Sequence, residues 1–250
     1  MAHKGVLLVT GGGRGIGAAT ARAAAADGYI VCVNYRQRVD AAEALVRAIQ
    51  ADGGAARAVQ GDVGREEDVL RIFDGIDREL GPLRGLVNNA GVVAPACRLE
   101  DMTLARWRAM LGTNVLGTML CTREAVRRMS RRHGGAGGAI VNVSSAASRT
   151  GSPGEYVDYA ASKGAIDSFT IGVAREVAPD GIRVNAVRPG FIRTDIHADS
   201  GDPGRVDRLQ GMLPMRRGGS AEEVASAILW LLSDAASYVT GSFIDLAGGV

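Results

Sequence analysis

The chain has 250 residues, 46% apolar and 22% charged, with a formal net charge of +2. It is long enough for one large core, ordinary for a globular protein, and too weakly charged to imply bulk attraction to nucleic acid or an anionic membrane. No apolar run approaches a bilayer span, and "MAHKGVLLVTGGG" has too short an apolar stretch for a signal peptide. Short apolar runs then alternate with longer amphipathic ones. "VLLVT" (6–10) reads as a buried strand, followed by a glycine loop and an Ala-rich helix. "IVCVN" (30–34) is a second strand and "DAAEALVRAIQADGG" a helix closed by glycine. "AARAVQ" (55–60) is a third strand, "REEDVLRIFDGIDREL" a helix, and "GLVNNAG" (85–91) a fourth strand running into a turn. A long helix is expected over 113–132, a fifth strand over 139–145 and a helix over 156–177. A sixth strand (182–187), a helix (221–234) and a last strand (242–246) complete the chain.

Apolar strands alternating with helices imply an α/β architecture: a doubly wound parallel sheet of seven strands with helices on both faces. No linker, repeat or low-complexity tract divides the sequence, so a single domain over 1–250 is expected, with residues 188–219 as an irregular lid segment. The charged residues of that segment, Arg193, Asp195, His197, Asp199 and Arg205, suit either a polar ligand or a solvated surface. Cys32, Cys97 and Cys121 are odd in number with no CxxC pair, as expected of reduced thiols in a cytoplasmic protein. His3, His133 and His197 share no metal-ligand spacing, so no metal is expected.

"VTGGGRGIGAAT" follows the first strand and opens the first helix, the context a phosphate-binding glycine loop requires. Gly13-x-Gly15-x-x-Ala18 fits the general dinucleotide pattern; Gly11, Gly15 and Gly17 give a longer spacing. A carboxylate closing the second strand would bind a ribose 2′-hydroxyl, but the strand ends "VNYRQR". Arg36 there and Arg14 in the loop suit a 2′-phosphate, which favours NADP(H) over NAD(H); the alternative is two solvated arginines.

"EYVDYAASKGA" holds two tyrosines on nearly the same helix face as Lys163, Tyr159 four residues before it and Tyr156 seven before it. A phenol beside an ammonium is expected to titrate below its ordinary value and to exchange protons nearer neutral pH. Ser144 and Ser145 end the fifth strand, at the carboxyl edge where ligands bind.

Together, "TGGGRGIG", "NNAG", Asn114, "VNVSS", "YAASK" and "RPG" resemble the short-chain dehydrogenase/reductase family, in that family's order, from Val6 to "DLAGG" (245–249). The likeness is greatest to the bacterial members around glucose 1-dehydrogenase and the 3-oxoacyl-carrier-protein reductases. It implies a Rossmann-type fold and a catalytic set of Asn114, Ser145, Tyr159 and Lys163. The family's serine usually precedes the tyrosine by about thirteen residues. Here Ser145 precedes it by fourteen and Ser144 by fifteen, so Ser145 is chosen and Ser144 is expected to orient the loop. Asn114 would position a water linking Lys163 to solvent, or be an amide inside a helix. The implied cofactor residues are Gly11, Gly13, Arg14, Gly15, Ile16 and Gly17, then Asn34, Tyr35 and Arg36, with Tyr159 and Lys163 of the catalytic set. Asp62 and Val63 would meet the adenine and Asn89, Ala90 and Gly91 the adenosine ribose. Pro189, Gly190, Ile192 and Thr194 would close over the nicotinamide. The expected protein is an NADP(H)-dependent oxidoreductase of a sugar, ketone or 3-oxoacyl-type small molecule, assembled as a homotetramer. A catalytically silent NADP(H)-binding sensor is the alternative. A methyltransferase is disfavoured, because no acid ends the second strand.

Overall fold

The computed structural model describes residues 3–250, apart from the side chain of His197. In chain order the elements begin β1 (Val6–Val9), α1 (Gly15–Ala26), β2 (Ile30–Tyr35), α2 (Val39–Ala51), β3 (Ala55–Gln60), α3 (Glu66–Glu79) and β4 (Leu83–Asn88). They continue with α4 (Leu104–Leu111), α5 (Gly117–Met129), β5 (Gly138–Val143), α6 (Ala147–Thr150), α7 (Val157–Val177) and β6 (Ile182–Pro189). Last come α8 (Ile196–Asp199), α9 (Arg205–Leu209), α10 (Ala221–Leu232) and β7 (Phe243–Leu246).

The seven strands are all parallel, in the order β3-β2-β1-β4-β5-β6-β7. Strands read as continuous apolar runs because both faces are covered. Leu7, Val9, Val31 and Val33 pack with α1, α2 and α10 on one side, while Val6, Leu8 and Cys32 pack with α3, α5 and α7 on the other. On α3, Val69, Ile72, Phe73 and Ile76 form the buried stripe, and Glu66, Glu67 and Asp68 occupy the first turn, where the helix dipole favours negative charge. Ser220 and Glu223 form a reciprocal capping box that starts α10. Chain direction across the sheet reverses between β1 and β4. A crevice opens there, above the carboxyl ends of the strands.

Several boundaries differ from the sequence expectation. The helix expected over 113–132 begins at Leu104, passes through one π turn (Gly112–Leu116) and ends at Met129. The glycine at 112 hid its true start. Val63 packs where a Cβ on Gly117 would lie, 2.7 Å from its Cγ2, so Gly117 serves close packing and not a turn. The fourth strand runs from Leu83 to Asn88, earlier than 85–91. The segment 188–219 is less irregular than expected. Arg188 and Pro189 belong to β6, a parallel bridge joins Ile192 to Gly219, and α8 and α9 lie between. Among the described residues no helix is long and apolar enough to cross a membrane.

Candidate active site

A cavity of about 570 Å³ lies above the carboxyl ends of β1, β2, β4, β5 and β6. It brings the glycine loop, the end of β2, the turn after β4, Ser145, Tyr159, Lys163 and Pro189–Thr194 to one groove. Its glycines do different work. Gly11 and Gly15 have φ of +58° and +52°, which side-chain-bearing residues rarely adopt. A Cβ on Gly17 would fall 2.6 Å from the Gly11 carbonyl and from Asn89 Nδ2, so Gly17 lets the helix meet the loop and does not line the cavity. Arg14 stands at the N-cap of α1 with no side-chain cap, leaving the first N–H groups for an anion.

Thr10, which sequence reasoning passed over, pegs the loop to β4. Its Oγ1 accepts from the N–H groups of Asn89 and Ala90, both at 3.0 Å, and Asn89 Nδ2 donates back to the carbonyls of Thr10 and Gly11. Asn34 is likewise turned inward: Oδ1 accepts from Gly11 N–H, and Nδ2 donates to Gly61 O at 3.0 Å. Tyr35, Arg36, Asp62 and Val63 line the groove. The two arginines expected to grip a phosphate each face a carboxylate. Arg14 pairs with Asp199 of α8, and Arg36 lies 3.6 Å from Asp62. Arg14 Nη1 is buried with no partner, a donor left for a ligand.

At the other end of the groove, β5 ends at Val143. Ser145 lines the cavity with Tyr159; its Oγ accepts from Ala147 N–H at 3.1 Å and lies 3.5 Å from the Pro189 carbonyl. Ser144 turns the other way and donates to Asp167 Oδ1 at 2.6 Å. Between α6 and α7, Gly151, Ser152 and Gly154 all have positive φ. Lys163 is buried beside Tyr159, with Nζ 5.5 Å from the ring centroid and donating to the Val143 carbonyl at 2.8 Å. Asn114 sits in the π turn with its amide fully engaged. Oδ1 accepts from Val92 N–H at 2.8 Å, and Nδ2 donates to Val92 O and to Ser162 Oγ. Gly91 leaves the gap that Asn114 and Lys163 share, since a Cβ there would touch Asn114 Oδ1 and Lys163 Nζ at about 3.5 Å and 3.6 Å.

The expected depression of Tyr159 is not found. Burial holds the phenol above its ordinary value, and the hydrogen bond with Ser145 only opposes that. The larger change is on the cation. Burial pushes Lys163 down to about 8, with Asp167 acting the other way.

Tyr156 precedes α7 and also lines the cavity, but the guanidinium of Arg205 covers its ring at 5.1 Å. Arg205 reaches from α9 to Glu155 and lies near the Phe191 ring. Arg106 makes a bidentate pair with Asp158 at 2.6 Å and 3.0 Å, bracing the residue before Tyr159. No spacing in the sequence announces these pairs between distant segments. Among the described residues no group of His, Cys, Asp and Glu is placed to hold a metal.

The profile of the family described as enoyl-(acyl carrier protein) reductase matches residues 11–250. The chain is 60% identical to the uncharacterized oxidoreductase YgfF of Escherichia coli K12, over 98% of this chain and 99% of that one. The chain belongs to the short-chain dehydrogenase/reductase family. It is an oxidoreductase of that family, acting on CH–OH groups. A 3-oxoacyl-[acyl-carrier-protein] reductase of Synechocystis is 39% identical over 98% of this chain and 96% of its own. A short-chain dehydrogenase of Burkholderia cenocepacia, solved in complex with NADP, superposes with a TM-score of 0.88 at 33% identity, over 97% of this chain and 96% of that one. The seven-stranded parallel sheet is thus the short-chain dehydrogenase fold, and the cavity lies at its topological switch point.

Proposed function

We propose that this short-chain dehydrogenase interconverts a carbonyl and a secondary alcohol, with NADP(H) as redox partner and Tyr159 as general acid/base. The observation that carries the reading is that Ser145 and Tyr159 line the same cavity, with Lys163 buried beside the Tyr159 ring. The residues present suit the cofactor. The loop supplies free N–H groups, Arg14 has an unpartnered buried donor, and no acid ends β2. Arg14 and Arg36 would hold the 2′-phosphate, Asp62 and Val63 the adenine side, Ala90 and Gly91 the ribose, and Pro189, Gly190, Ile192 and Thr194 the nicotinamide end. When bound, the nicotinamide donates or accepts the hydride.

In the reducing direction the carbonyl carbon gains the hydride and the Tyr159 phenol gives its proton to the carbonyl oxygen. Ser145 donates a hydrogen bond to the same oxygen as charge develops there. The phenolate left behind is stabilised by the Lys163 ammonium, which is largely protonated at neutral pH because its pKa is about 8. Oxidation runs the same steps in reverse. Asn114 supports the site by fixing Val92 and the turn before it.

The family description names enoyl reduction, and Tyr156, seven residues before Lys163, also faces the cavity. Carbonyl chemistry is the better reading, because Tyr159 lines the cavity with Ser145 and lies beside the buried Lys163, while the ring of Tyr156 is covered by Arg205.

The assembly we propose is a homotetramer. Leu104, Trp107 and Leu111 share one exposed face of α4, and Leu116, Ile171, Trp230 and Tyr238 are exposed as well. The functional test is purified protein with NADPH against ketones, sugars and 3-oxoacyl and enoyl thioesters, and with NADP⁺ against alcohols. Carbonyl-dependent NADPH oxidation is expected. Binding of NADPH with no turnover anywhere would favour the sensor reading, and turnover of enoyl thioesters alone would favour double-bond reduction.

A further inference from the structure

Ser144, Asp167 and Arg188 come from three elements and meet behind the proton-transfer site. Asp167 follows Lys163 by four residues on α7 and so shares its face, one turn on. Its Oδ1 accepts from Ser144 Oγ at 2.6 Å, and its Oδ2 accepts from Arg188 Nε at 3.0 Å. Ser144 Oγ also lies 3.3 Å from the Lys163 carbonyl. A hydroxyl has one proton, and the shorter, charge-assisted bond to Asp167 takes it. Arg188 is fixed in turn. It stacks on Phe243 at 3.9 Å and lies 3.7 Å from Asp245, which pairs with Arg149. Both partners of the Asp167–Arg188 pair are largely buried, with side chains 14% and 17% exposed, so solvent screens it little.

We propose that Asp167 is a positioning residue for the proton-transfer site, tying Ser144 at the end of β5 and sustaining the charge of Lys163, with Arg188 setting how much of that negative field Lys163 feels. The inference rests on the reading that Lys163 works beside Tyr159. Among the described residues, the groups facing Lys163 leave few other sources of charge. Its own helix presents Tyr159 and Asp167. β5 presents the Val143 carbonyl, the turn after β4 presents the backbone of Gly91, and the π turn presents the neutral Asn114. From β6 comes Arg188, behind Asp167. Burial drives Lys163 towards the neutral form, and Asp167 is the charge that opposes it. A neutral lysine gives a phenolate no electrostatic support. Ser144 is the residue before Ser145, so the Ser144–Asp167 bond also fixes the peptide from which Ser145 reaches Tyr159.

The chain offers a direct test, because it contains two lysines, Lys4 and Lys163. Lysine labelled with ¹³C at Cε gives two resonances, and Lys4→Arg identifies that of Lys163. Its titration needs neither substrate nor cofactor. In Asp167→Asn the midpoint of Lys163 should fall by about half a pH unit or more, since a charge one turn away in a poorly screened site is removed. In Arg188→Gln it should rise, because the carboxylate is no longer compensated. Loosened packing alone would not move the midpoint in opposite directions. An unmoved midpoint in Asp167→Asn, or shifts of the same sign in both variants, would overturn the proposal. If Asp167→Asn does not fold, Arg188→Gln decides alone, and a midpoint that stays or falls refutes it. A protein silent towards every carbonyl would count against the dehydrogenase reading, yet leave these titrations readable.

Discussion

Arg14→Ala should weaken NADPH binding selectively, and the size of the effect follows from what Arg14 touches. A charge-assisted bond to phosphate is worth about 1.5–3 kcal/mol. Arg14 is not free, however. It pairs with Asp199, with both side chains partly exposed at 39% and 37%. Arg36 stands near Asp62 in the same way, 48% and 28% exposed. A pair of that kind contributes about 0–1 kcal/mol, which a phosphate must displace. The net gain per arginine is then about 0.5–3 kcal/mol, or roughly two- to 150-fold in Kd. Arg14→Ala and Arg36→Ala should each raise the Kd for NADPH by that factor and leave NADH almost unchanged. Asp199→Asn should do the reverse, tightening NADPH up to about fivefold at low ionic strength and less as salt is added. Calorimetric or fluorescence titration with both cofactors reads all three variants. Equal weakening of NADPH and NADH by Arg14→Ala, or weaker NADPH binding in Asp199→Asn, would refute the assignment of the 2′-phosphate to these arginines.

Lys163→Met should stabilise the fold while removing activity. Lowering a lysine from 10.5 to about 8 means that folding disfavours its charge by about 3 kcal/mol, less about 1 kcal/mol for the Val143 carbonyl left without its donor. The gain, about 2 kcal/mol by urea denaturation, should be full below pH 8. It should fade as pH rises towards 10.5, where the unfolded lysine also loses its proton. A gain independent of pH would contradict the burial argument. Both proteins should lose stability above pH 9, because burial holds the Cys32 and Cys121 thiols up to about 12 while unfolded thiols ionise near 9. Light scattering should give four chains per particle, and Leu111→Glu, which puts a charge on the exposed α4 face, should reduce that number. A fully active single-chain particle would exclude the tetramer.

The strands were legible because the central ones are apolar on both faces, and their alternation with helices announced the doubly wound sheet; the edge strands β3 and β7 carry exposed Arg57, Gln60 and Asp245. Boundaries were less legible where glycine lay within a helix. The expected helix began only after Gly112, yet the chain passes through Gly112 as the start of a π turn within one helical run. In the site, residues joined by short spacings were found: the glycine loop, and Tyr159 with Lys163. Contacts between distant segments were not. Thr10 with Asn89, Arg205 with Tyr156, and Asp167 with Arg188 depend on which strand ends the fold brings together, and no local pattern encodes that. The choice between Ser144 and Ser145 illustrates the limit. Adjacent residues leaving a strand point to opposite sides, so a one-residue uncertainty in spacing is a choice between the cavity and Asp167. The pKa expectation failed for a related reason: spacing places a cation near a phenol but does not report burial, which dominates both groups.

The measurement closest to the central claim is turnover and NADPH affinity in Tyr159→Phe and Tyr156→Phe, made side by side. Removing a general acid/base costs about 10²–10⁴-fold in rate. Tyr159→Phe should fall by at least that factor in kcat with an unchanged Kd for NADPH, while Tyr156→Phe keeps most of its kcat. An active Tyr159→Phe beside an inactive Tyr156→Phe would contradict the account.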